Sequence, residues 1–250
     1  MIAATIWSFL LPSVPKSIYF HQDPEKQALT SKKKYQNAFD LMKKHFLESF
    51  TNRYVAKWSI WWALATCGFI QVQTYMQPLW SEIHTDPNSS LHNGTVEALL
   101  TLVGCLGALS IGFMKSDWKQ RGELVLSLCS ILAGAVLIIS SQTQYILVSY
   151  GCYIAFGGLY HFVITIASSE VAKYILEDSY GLVFGLNTLV ALILQTVITL
   201  CLVTGDIGWA LGPRNQHLAY GIYHIGIAVI FIFIGVIDWL RSHADINKTY

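Results

Sequence analysis

The chain has 250 residues, of which 54% are hydrophobic and only 12% charged, with a formal net charge of +1. Its mean hydropathy of +0.47 is too apolar for an ordinary soluble domain. Cys67, Cys105, Cys129, Cys152 and Cys201 each sit in a different apolar stretch without CxxC spacing, which gives packing residues rather than a disulfide framework or a metal site.

Met1 to Leu11 is apolar but short, has no basic start and runs into Pro12 and Pro15, so it does not read as a signal peptide. Residues 1–14 are expected to be the end of a preceding transmembrane helix. Residues 15–51 form a polar cytoplasmic connector. Within it Tyr35, Phe39, Met42, Phe46 and Phe50 recur every three or four residues, a pattern that continues to Tyr54 among Lys32 to Lys34, Lys43 and Lys44. That spacing predicts an amphipathic helix for the headgroup layer or for the cytoplasmic ends of neighbouring helices.

Six long apolar runs follow, within residues 52–241: Tyr54–Leu79, Val96–Met114, Leu124–Ser141, Tyr145–Ala172, Tyr180–Val203 and His217–Leu240. Each has about the 20 residues a helix needs to cross a bilayer. In lipid the backbone must satisfy itself, so the expected architecture is an all-α membrane bundle. Of the Lys and Arg residues, all but Arg214 fall on one side of these runs. Positive-inside orientation then places both termini, including the tail 242–250, in the cytoplasm. The first loop between runs carries the sequons Asn88-Ser-Ser and Asn93-Gly-Thr, and charge sidedness independently puts that loop outside. Asn247-Lys-Thr falls on the cytoplasmic side and is expected to be unused. Trp58, Trp61, Trp62, Trp80 and Trp239 stand near the ends of runs, positions favoured at membrane interfaces.

Polar groups cluster on particular runs. The first carries Gln71, Gln73, Thr74, Tyr75 and Gln77, the fourth Tyr160 and His161, the fifth Asn187, Thr188, Gln195 and Thr199. Such groups in lipid face a partner helix or water. Interhelical hydrogen bonding is the plain reading of each, and a wet cavity is the reading of the cluster. Glu97, Glu123 and Glu170 stand near the ends of runs. No HExxH, Asp pair, Ser/His constellation or Walker A sequence is present, so neither an enzyme nor an ATP-driven pump is expected. No cofactor, metal or nucleic-acid partner is implied.

Four stretches in order carry a resemblance: "WSIWWALATCGFIQVQTYMQPLW" (Trp58–Trp80), "NGTVEALLTLVG" (Asn93–Gly104), "LYHFVITIA" (Leu159–Ala167) and "YGLVFGLNTLVALILQTVITL" (Tyr180–Leu200). Together they resemble the reduced folate and thiamine carrier family of the major facilitator superfamily, over the C-terminal half of that fold. The resemblance implies a secondary-active vitamin transporter of the plasma membrane, working by alternating access between two six-helix halves. This chain corresponds to one half. Its expected partners are thus the lipid bilayer, a vitamin and the missing N-terminal six-helix half, without which transport is not expected.

By position, Phe69, Ile70, Thr74, His161 and Gln195 would line the substrate cavity. Folate-carrying members place basic residues where this chain has Gly157 and Gln195. A neutral cavity disfavours a dianion and suits thiamine, a cation. Gly157 also departs from thiamine carriers, and Ile70 from the polar or tyrosine residue usual at its place. Thiamine therefore leads over reduced folates. The alternative from another class is a non-transporting half-carrier that binds and regulates full-length carriers.

Overall fold

The computed structural model describes residues 31–84, 91–114, 116–176, 179–205 and 208–246. The expected partial helix at 1–14, the sequon at Asn88 and the end of the tail lie outside these. Among the described residues the regular structure is helical, in the order α1 (Ser31–Thr51), α2 (Arg53–Ile83), α3 (Asn93–Phe113), α4 (Trp118–Gln142), α5 (Ile146–Ala172), α6 (Tyr180–Leu202) and α7 (Pro213–Ile246).

Local chemistry sets several of the boundaries. Asn52 breaks the chain between α1 and α2 and caps α2, its side chain accepting from Tyr54 N at 3.0 Å. Asp117 does the same for α4, accepting from Lys119 N at 3.0 Å. The amphipathic stripe of α1 divides in two. Phe46 and Phe50 are partly buried and flanked by buried His45 and Ser49, whereas Phe39 and Met42 stay exposed.

Five helices are long and apolar enough to cross a membrane, over Asn93–Phe113, Arg121–Gln142, Ile146–Ala172, Tyr180–Leu202 and Pro213–Arg241. The chain is thus a multi-pass membrane protein. The first expected span, Tyr54–Leu79, lies in α2 and differs in kind. At 31 residues, α2 is about 46 Å long and ample for a bilayer. Its glutamines make it too polar to stand among the five. The physical reason is its position: α2 packs on α5, α6 and α7 and is buried along most of its length. A helix enclosed by other helices does not need lipid-compatible side chains all round. For the same reason Trp58, Trp61, Trp62 and Trp80 are buried against other helices, and only Trp239 of that set is exposed. The Trp61 and Trp80 indoles donate to Ser130 at 3.3 Å and Ser149 at 3.1 Å, which satisfies their N–H groups inside.

Around this axis α4 packs most extensively on α7, α3 lies on α5, and α5 also meets α4. The α4–α7 crossing depends on two glycines. A Cβ on Gly134 would come within 2.8 Å of the Gly221 carbonyl, and one on Gly221 within 3.0 Å of the Gly134 carbonyl. Backbones meet there as in small-residue membrane interfaces.

Charges gather at the two ends. At the end expected to be cytoplasmic, Lys57 of α2 pairs with Glu123 of α4 and, at 3.3 Å, with Asp238 of α7. Beside it Tyr54 donates to Glu170 at 2.7 Å, and Lys173 pairs with the same carboxylate. At the opposite end Arg214, the exception to the charge sidedness, donates to Glu82 at 3.1 Å. It also donates to the carbonyls of Ser141 at 3.0 Å and Thr143 at 2.8 Å, where α4 ends. Its charge thus serves a carboxylate and a helix C-terminus.

The Lys57 and Glu123 side chains are only 13% and 15% exposed. Lys57→Met is expected to destabilise the chain by about 2 kcal/mol, somewhat less than a fully buried broken pair. Lys57→Met with Glu123→Leu should recover most of that loss in thermal unfolding in detergent. A double variant no better than the single would refute the pairing.

Candidate functional site

The predicted site residues come from α2, α5 and α6, and the bundle brings two of them into direct contact. Phe69 of α2 lies 5.3 Å from the His161 ring of α5, edge to face. Phe69 is itself buried and stacked on Tyr160, with ring centroids 4.0 Å apart and planes 7° from parallel. The Tyr160 hydroxyl shares a 3.1 Å hydrogen bond with Thr66 of α2. One face of Phe69 is therefore already covered, and the ring forms a wall whose position two helices fix.

Ile70 is half-buried and Thr74 exposed on the neighbouring side of α2. The Thr74 hydroxyl donates to the Ile70 carbonyl at 2.8 Å, which leaves its oxygen able to accept. Gln195 of α6 is half-buried and makes no hydrogen bond to a described residue. Among the described residues no hydrogen bond or ring contact joins Thr74 or Gln195 to the Phe69–His161 pair. The described bundle thus gives one assembled cluster and two separate polar positions. Of the glycosylation candidates, Asn93 is the first residue of α3, with a half-exposed side chain.

Other polar residues of the same helices are held inside. Gln71 is fully buried; its amide donates to Tyr220 of α7 at 3.1 Å, and its carbonyl accepts from Thr199 of α6 at 3.2 Å. Asn187 donates to Ser59 at 3.2 Å, and exposed Thr188 bonds the Phe184 carbonyl at 3.0 Å. The stripe of Thr188, Gln195 and Thr199 therefore splits, with Thr199 turned to structure. Sequence reasoning singled out Gln71 and Thr199 as polar at membrane depth. Their pairing across 128 residues had no local signal.

Two glycines shape the surroundings of His161. A Cβ on Gly157 would overlap Leu100 of α3, so α3 occupies the space into which any larger side chain at 157 would grow. Gly104 of α3 lies against the His161 ring itself. No arginine or lysine enters the cluster: the described basic residues of the bundle stand near the ends of helices, at Arg53, Lys57, Lys119, Arg121, Lys173, Arg214 and Arg241.

Comparisons with known proteins agree with this architecture. A family model described as reduced folate carrier matches residues 1–219. The chain is 34% identical over 236 residues to mouse thiamine transporter 1, covering 94% of this chain and 47% of that protein. Against human thiamine transporter 1 it is 38% identical over 197 residues, covering 79% and 39%. Against folate transporter 1 of Caenorhabditis elegans it is 38% identical over 194 residues, covering 78% and 42%. The chain thus spans about half the length of the curated relatives it matches.

Gly157→Ala is expected to destabilise the bundle by about 1–3 kcal/mol through overpacking against Leu100. Adding Leu100→Ala should recover part of the loss, since the two side chains compete for one space. Thermal unfolding of the four-member cycle reads the coupling, and strict additivity would show that the contact is absent.

Proposed function

The chain belongs to the reduced folate carrier family, and on that premise we propose that it is the C-terminal six-helix half of a secondary-active vitamin carrier, with thiamine preferred over reduced folates. In this reading it sits in the plasma membrane with both termini cytoplasmic. It rocks against an N-terminal six-helix half, so that a solute between the halves meets each side of the membrane in turn. The relatives' names, thiamine transporter and folate transporter, support the substrate class.

One observation carries the preference for thiamine. Leu100 fills the space beside Gly157, and no cationic side chain stands with Phe69, Tyr160 and His161. A folate dianion would enter this low-dielectric region without a counter-charge, which is costly. A thiazolium cation faces aromatic walls instead, and a ring face contributes about 0.5–2 kcal/mol to a bound cation. Phe69 and Ile70 wall the site, half-buried Tyr75 offers a further ring, and Thr74, His161 and Gln195 orient the solute. The non-transporting half-carrier, which binds and regulates full-length carriers, is the second reading.

Uptake of labelled thiamine is the test, in cells expressing the chain with and without the N-terminal six helices of a thiamine-transporting relative. The joined protein is expected to take up thiamine, and Gln195→Lys to lower that uptake at least about tenfold, a charge effect of ordinary size beside a desolvated cation. Unchanged uptake after replacing Thr74, His161 and Gln195 together would remove the site. Co-purification of the chain with an intact relative, without uptake by the joined protein, would establish the half-carrier.

A further inference from the structure

His161 is half-buried, and three helices fix how its ring sits. Within α5, Nδ1 lies 2.8 Å from the Gly157 carbonyl. A carbonyl oxygen can only accept, so Nδ1 carries the hydrogen; in the neutral ring Nε2 is then a bare acceptor. From α2, Phe69 meets the ring edge to face at 5.3 Å, and Tyr160 of α5 does so at 5.2 Å. From α3, Gly104 leaves the notch the ring occupies: a Cβ there would stand 2.9 Å from both Cγ and Nδ1 of His161. Nε2 makes no hydrogen bond to any described residue and is not sealed among the buried orphan atoms.

We infer that His161 is a preset hydrogen-bond acceptor for an amino N–H of the solute, of the aminopyrimidine type, and that Gly104 is the positioning residue that holds it so. This rests on the vitamin-carrier reading and adds to it the polarity of one contact. An aminopyrimidine occurs in thiamine and in the pterin ring of folates. His161 therefore recognises the shared heterocycle, and the absence of basic side chains around it discriminates by charge. Gly104 acts through the ring: any side chain there pushes His161 off the Gly157 carbonyl and frees the other tautomer.

The test is nitrogen NMR, in lipid nanodiscs, of the full chain joined to the N-terminal six helices of a thiamine-transporting relative, with labelled histidine and His161 assigned from its loss in His161→Phe. The expected spectrum has the hydrogen on Nδ1 and an unprotonated Nε2. Adding thiamine should move the Nε2 resonance, and an analogue with hydrogen in place of the pyrimidine amino group should not. A 5-formyltetrahydrofolate arm separates the two sources of the heterocycle. Gly104→Ala is expected to give mixed tautomers and to reduce the preference for thiamine over the analogue roughly five- to tenfold, the weight of one ordinary hydrogen bond. If that variant does not fold, His161→Phe, which keeps a ring of similar size, should lose the same preference. An Nε2–H tautomer, an imidazolium, or equal responses to thiamine and the analogue would overturn the inference. Uptake without an Nε2 response would remove this contact and leave the carrier reading standing; a response without uptake would do the reverse.

Discussion

Every polar group of α2 has to find a partner away from hydrocarbon, and the rest of the bundle is arranged around that demand. An unpaired polar group in lipid costs free energy that no later contact recovers cheaply. Gln71 meets it with Tyr220 and Thr199, Thr66 with Tyr160, and Ser59 with Asn187. These bonds tie α2 to α7, α6, α5 and α6 in turn. Each is worth only about 0.6 kcal/mol on average. Their combined effect is to fix the rotation of α2, and with it which of its side chains remain accessible. Thr74 and Gln77 are left on the accessible side once Gln71 and Met76 are turned inward.

Small residues then set the distances. Gly68 admits His224 of α7, Gly104 admits His161 of α5, and Gly157 admits Leu100 of α3. A single methyl group at any of these positions collides with a side chain from another helix. Interiors transmit such strain because they are close-packed. The same geometry that lets the helices meet therefore also decides what the candidate site contains. Leu100 excludes a long basic side chain at 157, and the Gly104 notch holds an imidazole in one orientation.

In helices α2 to α7 the described formal charges stand towards the helix ends, where they join elements that the apolar middle cannot order. Lys57 links α2, α4 and α7 at one end, and Arg214 links α2, α4 and α7 at the other. The two clamps involve the same three helices. This gives α2 a fixed tilt relative to the α4–α7 pair, while α3 and α6 are held mainly by packing on α5 and α2.

The apolar runs and the sidedness of lysine and arginine were legible in the chain itself, whereas the caps at Asn52 and Asp117 were not marked before the structure showed them. The runs and the sidedness depend on local spacing and on the dielectric contrast between lipid and water, and both act on a segment before it has neighbours. Four ordered stretches likewise carried the family. Phe69 and His161 could be marked as candidates, but their contact could not, since it joins helices 92 positions apart. The tryptophans misled for a related reason: indole near the end of an apolar run fits an interface or a core equally well until its N–H partner is known. Only the tertiary structure decided that Thr199 serves Gln71 while Gln195 stays unpaired, that Gly157 belongs to Leu100, and that Gly104 belongs to His161. Those outcomes turn on helix rotation and on approach distances of a few tenths of an ångström, which no periodicity along one chain encodes.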